Sequence, residues 1–423
     1  MERNDPRYGV FVDILKQELL PAMGCTEPIA VAYCGAIARK VLGCAPERVE
    51  IQVSGNIIKN VKSVIVPNTG GLKGIPAAAA AGIVAGDPER ALEVISDVTS
   101  GDKAQIAAFL RDTEITVAPL EDGDLLDILI TLYRGQTWAR VRIAHSHTNI
   151  VSVEKNGEIL EYHPVKMEQG EAEQNPLSVE SIYDFAETVE LEDIAPVISR
   201  QIAYNTAISQ EGLKNSWGAN IGSVILSTYG TDVKQRAKAA AAAGSDARMS
   251  GCELPVVVNS GSGNQGMTVS LPVIEYAKEL GSSQELLYRA LVLSNLIAIH
   301  QKKGIGCLSA YCGAVSAGAA AGCGIAYLKG GDLKVINHTL VNALAIASGV
   351  VCDGAKPSCA AKIAIAVDAG IMGYEMYLQG QQFRGGEGIV SKGVENTIRN
   401  VGRLGAEGMR ETDKEIIRIM TGC

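Results

Sequence analysis

The chain has 423 residues, of which 47% are hydrophobic and 20% are charged, so it can bury a large core and does not belong to the intrinsically disordered class. This length exceeds the size at which one hydrophobic core usually stops growing, which predicts two domains. The net charge of −9 argues against nucleic acid as a partner, because nucleic-acid-binding proteins cluster lysine and arginine.

The N-terminal residues Met-Glu-Arg-Asn-Asp-Pro are polar and of mixed charge, which predicts no signal peptide and a cytoplasmic location. One later stretch, 305–328, carries no charged residue and is long enough to cross a bilayer. It consists mostly of alanine, glycine, serine and cysteine, which gain little from contact with lipid. We therefore predict a buried helix packed through small residues, and no membrane partner.

The first elements of the chain are predicted helices on either side of a polar turn. Residues 7–20 have helical spacing, and a proline ends that helix. The turn Gly-Cys-Thr-Glu-Pro at 24–28 leads into a nearly all-apolar helix over 28–42, with Thr26 as its predicted N-cap. Cys25 then lies just before a helix N-terminus, where the helix dipole favours a thiolate.

The pattern changes near residue 46. Segments rich in β-branched residues predict strands at 49–53, 63–66, 114–117, 126–132, 138–143 and 149–153. Helical patterns lie between them at 76–85, 88–97 and 101–111. Neighbouring strands with short turns predict an antiparallel sheet with helices on one face. A polar run over 163–176 follows.

From about residue 177 the pattern is helical almost to the end. The predicted helical segments lie at 192–215, 234–243, 268–302, 308–328, 334–349 and 357–378. The predicted fold class is therefore α+β, with a largely helical domain interrupted by a smaller inserted α/β domain. The predicted boundaries are 1–45 plus 177–423 for the helical domain, 46–165 for the insert and 166–176 for a linker.

Three cysteines near the C-terminus lie beside glycine, proline and small residues, where a backbone can bend closely around an inorganic group. Cys312 follows Leu-Ser-Ala-Tyr, and Cys352 and Cys359 bound the motif Cys-Asp-Gly-Ala-Lys-Pro-Ser-Cys. Ten cysteines in a predicted reducing compartment indicate metal binding or catalysis before disulfides. Three thiolates and one open coordination position suit an iron–sulfur cluster that acts as a Lewis acid. Zinc is less favoured, because no fourth ligand adjoins the three cysteines. For Cys312 alone, the competing interpretation is a small hydrophobic side chain packed between helices.

A glycine-rich loop, Asn-Ser-Gly-Ser-Gly-Asn-Gln-Gly at 259–266, follows a strand-like segment and precedes a helical one. Its glycines let the backbone approach a ligand, and amides at a helix start bind an anion such as a carboxylate. The glycine spacing differs from that of dinucleotide and phosphate loops, so the loop predicts a small anionic substrate. Its candidate binding residues are Asn259, Ser262, Asn264 and Gln265.

Two further segments supply weaker candidates for the same pocket. His147 ends a strand of the insert, where it can line a site, although a surface position or a metal shared with His145 is also compatible with the spacing. The loop Asn-Thr-Gly-Gly-Leu-Lys at 68–73 is either a plain turn or a second pocket wall containing Asn68 and Lys73. No Gly-x-Ser-x-Gly elbow of serine hydrolases occurs, and nothing suggests a phosphate cup for pyridoxal phosphate.

Together, the motifs at 24–28, 261–266, 308–313 and 352–359 resemble those of the L-cysteine desulfidase family. That family is similar to the α chain of oxygen-sensitive iron–sulfur L-serine dehydratases, and the resemblance spans essentially the whole chain. It implies a [4Fe-4S] cluster on Cys312, Cys352 and Cys359, with one iron open to substrate and no pyridoxal phosphate. Cys307 and Cys323 lie on the same segment as Cys312, and either is an alternative to it.

The implied reaction is β-elimination of L-cysteine to pyruvate, ammonia and sulfide. It requires a base for the Cα proton and an electrophile for the leaving sulfur. Cys25 is the predicted catalytic group, as base or sulfur-handling residue, with Thr26 and Glu27 beside it in the pocket. In some of the related dehydratases a C-terminal cysteine occupies the open iron, a role that Cys423 could take here.

Two alternative functions remain open at the level of sequence. L-Serine dehydratase would use the same machinery, and a non-catalytic sensor of amino acids or of the cluster would bind without turnover. The expected partner is a small amino-acid substrate, and a homodimer is the candidate assembly.

Overall fold

A mixed six-stranded sheet lies beside a larger set of packed helices in the computed structural model, which describes residues 1–121, 123–163 and 176–422. The predicted α+β class is confirmed. The predicted linker falls on 166–176, nearly all of it outside the described residues, as does Cys423.

The strands are β1 (Pro21–Met23), β2 (Arg48–Val53), β3 (Glu114–Pro119), β4 (Asp127–Arg134), β5 (Thr137–Ala144), β6 (Ile150–Lys155), β7 (Glu158–Tyr162) and β8 (Pro255–Val257). The helices up to the glycine-rich loop are α1 (Pro6–Glu18), α2 (Thr26–Leu42), α3 (Gly55–Val61), α4 (Ile75–Ala85), α5 (Ser100–Asp112), α6 (Val179–Thr188), α7 (Leu191–Lys214), α8 (Ile221–Tyr229) and α9 (Val233–Met249). Those after it are α10 (Gly263–Leu280), α11 (Gln284–Ile305), α12 (Gly313–Leu328), α13 (Leu333–Ala347), α14 (Cys359–Leu378), α15 (Val394–Arg403) and α16 (Arg410–Thr421).

The sheet has the strand order β3-β2-β4-β5-β6-β7, and β2 pairs with β3 in parallel while the other pairs are antiparallel. The prediction of an antiparallel sheet is therefore wrong for one pair. Helices α3, α4 and α5 connect β2 to β3, and such a crossover returns the chain to the same edge in the same direction.

The segment predicted as helical over 268–302 is two helices, α10 and α11. Two further predicted elements are not regular. The predicted strand at 63–66 is a loop with one isolated bridge, between Ile65 and Lys73. The predicted helix at 88–97 is a short 3₁₀ helix, Pro88–Glu93, interrupted at Ala91 by a φ of 46°. In both segments closely spaced turns replace a regular element.

One face of the sheet is buried under α2 and α4. Alternate residues of β2, namely Val49, Ile51 and Val53, are fully or almost fully buried, as the two-residue period of a strand requires. Helix α2 packs against β4, β5 and α4, whereas α1 packs against α7 and α11 on the helical side. The domain boundaries stay a prediction. Helix α2, which the sequence assigned to the helical domain, lies against the sheet.

The helical part is organised around α12, which packs against α10, α11, α13 and α14. Every α12 residue from Ala314 to Leu328 is buried, as predicted for this small-residue segment. The uncharged stretch at 305–328 is not one helix, because α11 ends at Ile305 and α12 begins at Gly313. Within the described ranges, no helix is both long enough and apolar enough to span a membrane.

The contact between α2 and α4 depends on Gly82, because a Cβ there would lie 1.9 Å from the carbonyl oxygen of Ala32. We expect Gly82→Ala to lower the free energy of unfolding by about 1–3 kcal/mol or more, since the two helices would have to separate. The matched control is Gly9→Ala in α1, where a Cβ meets nothing within 4 Å. This control should raise the free energy of unfolding by about 0.5–1 kcal/mol, because alanine loses less backbone entropy than glycine in a helix. Thermal unfolding of both variants checks this, and an unchanged melting temperature for Gly82→Ala would contradict the close helix contact.

Candidate active site

A cavity of about 110 Å³ brings together residues from several distant motifs. This volume holds several water molecules, and hence a small solute. The predicted site residues that line it are Cys25, Glu27, His147, Ser262, Asn264, Gln265, Cys312, Cys352 and Cys359. Of the alternatives to Cys312, Cys307 also lines the cavity, whereas Cys323 is fully buried and does not.

Four predicted site residues are outside the cavity lining. Thr26 is buried and donates a hydrogen bond to Glu27 over 3.3 Å. The side-chain amide of Asn68 donates to the carbonyl oxygen of Ile95 over 2.8 Å, so it fastens one loop to another. Lys73 is exposed, and Asn259 is buried with its amide donating to Oδ1 of Asn295 over 3.0 Å.

Four helices begin at the cavity wall: α2, α10, α12 and α14. Their N-caps or first residues include Cys25, Ser262, Cys312 and Cys359. The N-cap of α2 is Cys25 and not Thr26, because Cys25 has extended backbone angles and Thr26 is already helical. Helix dipoles at four N-termini favour negative charge in the enclosed space.

Glu27 is the centre of a buried hydrogen-bonded group. Its carboxylate accepts from the Cys25 thiol over 3.1 Å and from the Asn60 amide over 3.2 Å. Nε2 of His147 lies 3.8 Å from Oε1 of Glu27, an ion-pair distance. Burial alone would raise the pKa of Glu27, but His147 and Cys25 lower it to about 2, so the carboxylate is ionised at neutral pH.

The thiolate predicted at Cys25 is not supported by this geometry. Burial raises the pKa of Cys25 well above its ordinary value, and the neighbouring charge of Glu27 raises it further. The positive charge of Arg248 lowers the pKa of Cys25 by less than these two effects raise it. Cys25 is therefore a neutral thiol that donates to Glu27.

His147 is held against the glycine-rich loop. Gly261 has a φ of +72°, and a Cβ on it would lie 2.9 Å from Cε1 of His147, so a side chain there would displace the imidazole. Nε2 of His147 is buried and has no hydrogen-bond partner among the described residues. A histidine on a cavity wall beside a carboxylate can take or give a proton.

Backbone pairing brings two of the cluster candidates together. The amide of Cys312 donates to the carbonyl of Val350 over 3.2 Å, and the amide of Cys352 donates to Ala310 over 2.7 Å. Cys359 begins α14 on the same cavity wall. Burial raises the pKa of Cys312 to about 12, with a further contribution from Cys352.

The three thiols suit an iron–sulfur cluster in their chemistry, and all three residues line one cavity. Because burial raises the pKa of Cys312 and of Cys359, a positively charged group is needed to hold them as thiolates. Among the described residues, no three histidine, cysteine or acidic side chains converge on a position for a single metal ion. A cluster places a different iron at each thiolate, so it does not require such convergence.

Sequence reasoning missed three buried or partly buried cations in the cavity lining: Arg248, Lys302 and Lys362. Arg248 is only 2% exposed, and Lys302 is 7% exposed. Burial lowers the pKa of Lys302, although the nearby thiols oppose this shift. For Arg248, the sequence offered one signal, a charged residue at the end of the alanine-rich α9. No comparable pattern marks Lys302 or Lys362.

The family model described as "Serine dehydratase alpha chain" matches residues 89–418, a range that includes all three cluster candidates. The chain belongs to the serine dehydratase alpha-chain family. It is 59% identical over 423 residues to a UPF0597 protein of Desulfitobacterium hafniense, covering 99% of this chain and 98% of the relative. A UPF0597 protein of Lachnoclostridium phytofermentans is 51% identical over 414 residues, covering 98% of this chain and 99% of the relative. The names of these relatives state no activity, but the predicted likeness to serine dehydratase α chains is confirmed.

Proposed function

We propose that this chain is an iron–sulfur-dependent lyase that eliminates sulfide from L-cysteine, giving pyruvate and ammonia. The observation that carries the proposal is one cavity lined by Cys312, Cys352 and Cys359 together with the Glu27–His147 pair. A lyase of this kind needs ligands for an electrophile and a separate proton-transfer group. Both sets lie on the wall of this cavity.

Cys312, Cys352 and Cys359 would hold the cluster, leaving one iron without a protein ligand. When bound, the cluster would supply a Lewis acid for the leaving sulfur. Lys302 lies among these residues, and its positive charge would offset part of the negative charge of the thiolates.

His147 is proposed to take the Cα proton of the substrate, because the residue lines the cavity and its Nε2 has no hydrogen-bond partner among the described residues. Glu27, ionised beside it, would stabilise the imidazolium that forms. Loss of the Cα proton and cleavage of the Cβ–S bond leave aminoacrylate, which tautomerises to an imine and is hydrolysed by water. Of the two roles predicted for Cys25, base and sulfur-handling residue, we propose the second. Its neutral thiol also donates a hydrogen bond to Glu27 and so holds that carboxylate in place.

L-Serine is the second candidate substrate, and the family match favours it. The same residues would remove the Cα proton, with hydroxide instead of sulfide leaving. Among the described residues of the cavity lining, no group distinguishes sulfur from oxygen by charge.

The test is to reconstitute the protein with iron and sulfide anaerobically and to measure product release from L-cysteine and from L-serine. Equal sulfide and pyruvate from L-cysteine, with kcat/KM higher than for L-serine, is the expected result. Pyruvate from L-serine alone would replace the proposal by serine dehydratase. Binding of both amino acids without products, at full cluster loading, would favour the sensor.

A further inference from the structure

We infer that Arg248 binds the α-carboxylate of the substrate and thereby restricts this cavity to α-amino acids. The inference deepens the proposed function and rests on it only for the identity of the reaction. Arg248 lies in the last turn of α9, on the cavity wall, with a side chain that is 98% buried.

The guanidinium of Arg248 is held in place by neutral groups. Its Nε donates to the carbonyl oxygen of Gly24 over 2.9 Å, and Nη1 donates to Oδ1 of Asn264 over 3.2 Å. No ion pair joins it to a carboxylate of the described residues. The acidic side chain of the cavity lining, Glu27, interacts instead with Cys25, Asn60 and His147.

A buried charge without a counter-ion is costly, so this arrangement calls for an anion that the described chain does not itself supply. The guanidinium offers a planar set of donors that matches a carboxylate in a bidentate geometry. The N-terminus of α10 begins beside it at Ser262, and its amides favour the same negative charge.

The glycine-rich loop is shaped to admit this side chain. A Cβ on Gly263 would lie 2.4 Å from Nε of Arg248 and 2.7 Å from its Cζ, so any other residue there would displace the guanidinium. The next residues connect the arginine to the thiols: Asn264 accepts from Arg248, and the amide of Gln265 lies against Gly313, which follows Cys312. A small amino acid bound through its carboxylate at Arg248 is thus within reach of the cluster side of the cavity.

The charges around the cavity match both ends of an amino acid. Arg248 contacts the carbonyl of Gly24, and Glu27 contacts the thiol of the adjacent Cys25. A cation and an anion therefore flank the same short turn. The carboxylate of a dipolar amino acid binds at Arg248, and its ammonium group is stabilised by Glu27.

The experiment uses L-alanine, which has no leaving group and cannot be eliminated, and ethylamine, which is the same molecule without the carboxylate. Binding to the anaerobically reconstituted protein is measured by calorimetry for the wild type, Arg248→Met, Arg248→Lys and the control Arg236→Met. Arg236 lies on the same helix, outside the cavity lining, where it pairs with Glu279.

We expect the wild type and Arg236→Met to bind L-alanine equally, and Arg248→Met to bind it at least about 30-fold more weakly. Arg248→Lys should lose less affinity for L-alanine, because lysine keeps the positive charge but lacks the bidentate guanidinium. This variant replaces Arg248→Met in the test if Arg248→Met does not fold. Ethylamine should bind weakly and equally to all four proteins. L-Alanine binding that is undetectable in the wild type, or unchanged in both Arg248 variants, overturns the inference. Binding is measured without turnover, so failure of the proposed elimination would show separately in the product assay.

Discussion

Replacing Cys312, Cys352 or Cys359 with serine is expected to abolish β-elimination, with a loss of at least about 10³-fold in kcat. The reason is that each thiolate would hold one iron, and Lewis-acid stabilisation of a leaving group is worth several kcal/mol. The variants should also retain less iron and acid-labile sulfide after anaerobic reconstitution. Iron content and the visible absorption of the cluster are therefore measured beside sulfide and pyruvate release.

Two further cysteine variants make this test specific. Cys44→Ser is the matched control, because Cys44 is a free cysteine outside the cavity lining and should leave iron content unchanged. Cys307→Ser tests the alternative ligand, since Cys307 lines the cavity a few residues from Cys312. If Cys307→Ser lost the cluster while Cys312→Ser kept it, the ligand assignment would be wrong. Thermal unfolding of the cluster-free proteins shows whether a variant has simply failed to fold.

The second large effect is expected at His147. We predict that His147→Gln lowers kcat by about 10²–10⁴-fold, the usual contribution of a positioned general base, while iron content stays at the wild-type level. Glutamine keeps a polar group of similar length but cannot accept the Cα proton. In the wild type, His147 and Cys25 lower the pKa of Glu27 to about 2, so its carboxylate is too weak a base to share the role of the imidazole.

His145 provides the matched control on the same loop. Its side chain is 40% exposed and pairs with Asp124 over 3.0 Å, outside the cavity lining. His145→Gln should therefore keep wild-type kcat. Exchange of the Cα proton of L-alanine with deuterated solvent gives a second measurement, which should slow in His147→Gln only. Equal exchange rates in the two variants would assign proton removal to another group, with Lys302 as the next candidate.

Local sequence patterns predicted most of the regular elements. The apolar spacing of α2 and the alternation in β2 appear directly in the sequence, because each depends on one buried face. Strand β7 was missed because all five of its residues are exposed, so burial produces no alternation. The parallel pairing of β2 with β3 was also missed, since it depends on how three intervening helices return the chain to the sheet.

The residues of the candidate site also divide into those that a local pattern predicts and those that depend on long-range packing. The motifs around Cys312, Cys352 and Cys359 could be found from sequence because small residues and glycines around a thiol are a local signal. The loop at 68–73 carries an equally local glycine signal, yet Asn68 fastens a neighbouring loop and Lys73 is exposed. A glycine pattern indicates an unusual backbone, and only long-range packing decides whether that backbone faces a cavity.

The sequence by itself therefore determined the α+β class, the helical and strand periods, the family and the three cluster candidates. Each of these depends on neighbouring residues or on motifs that stay intact when the chain is unfolded. Only the tertiary structure decided that four helix N-termini meet at one cavity, and that Cys25 is a neutral thiol beside Glu27. It also placed Arg248 at the glycine-rich loop, without an ion-pair partner among the described residues. Burial, charge pairing and pKa arise from groups far apart in the chain, and folding alone brings those groups together.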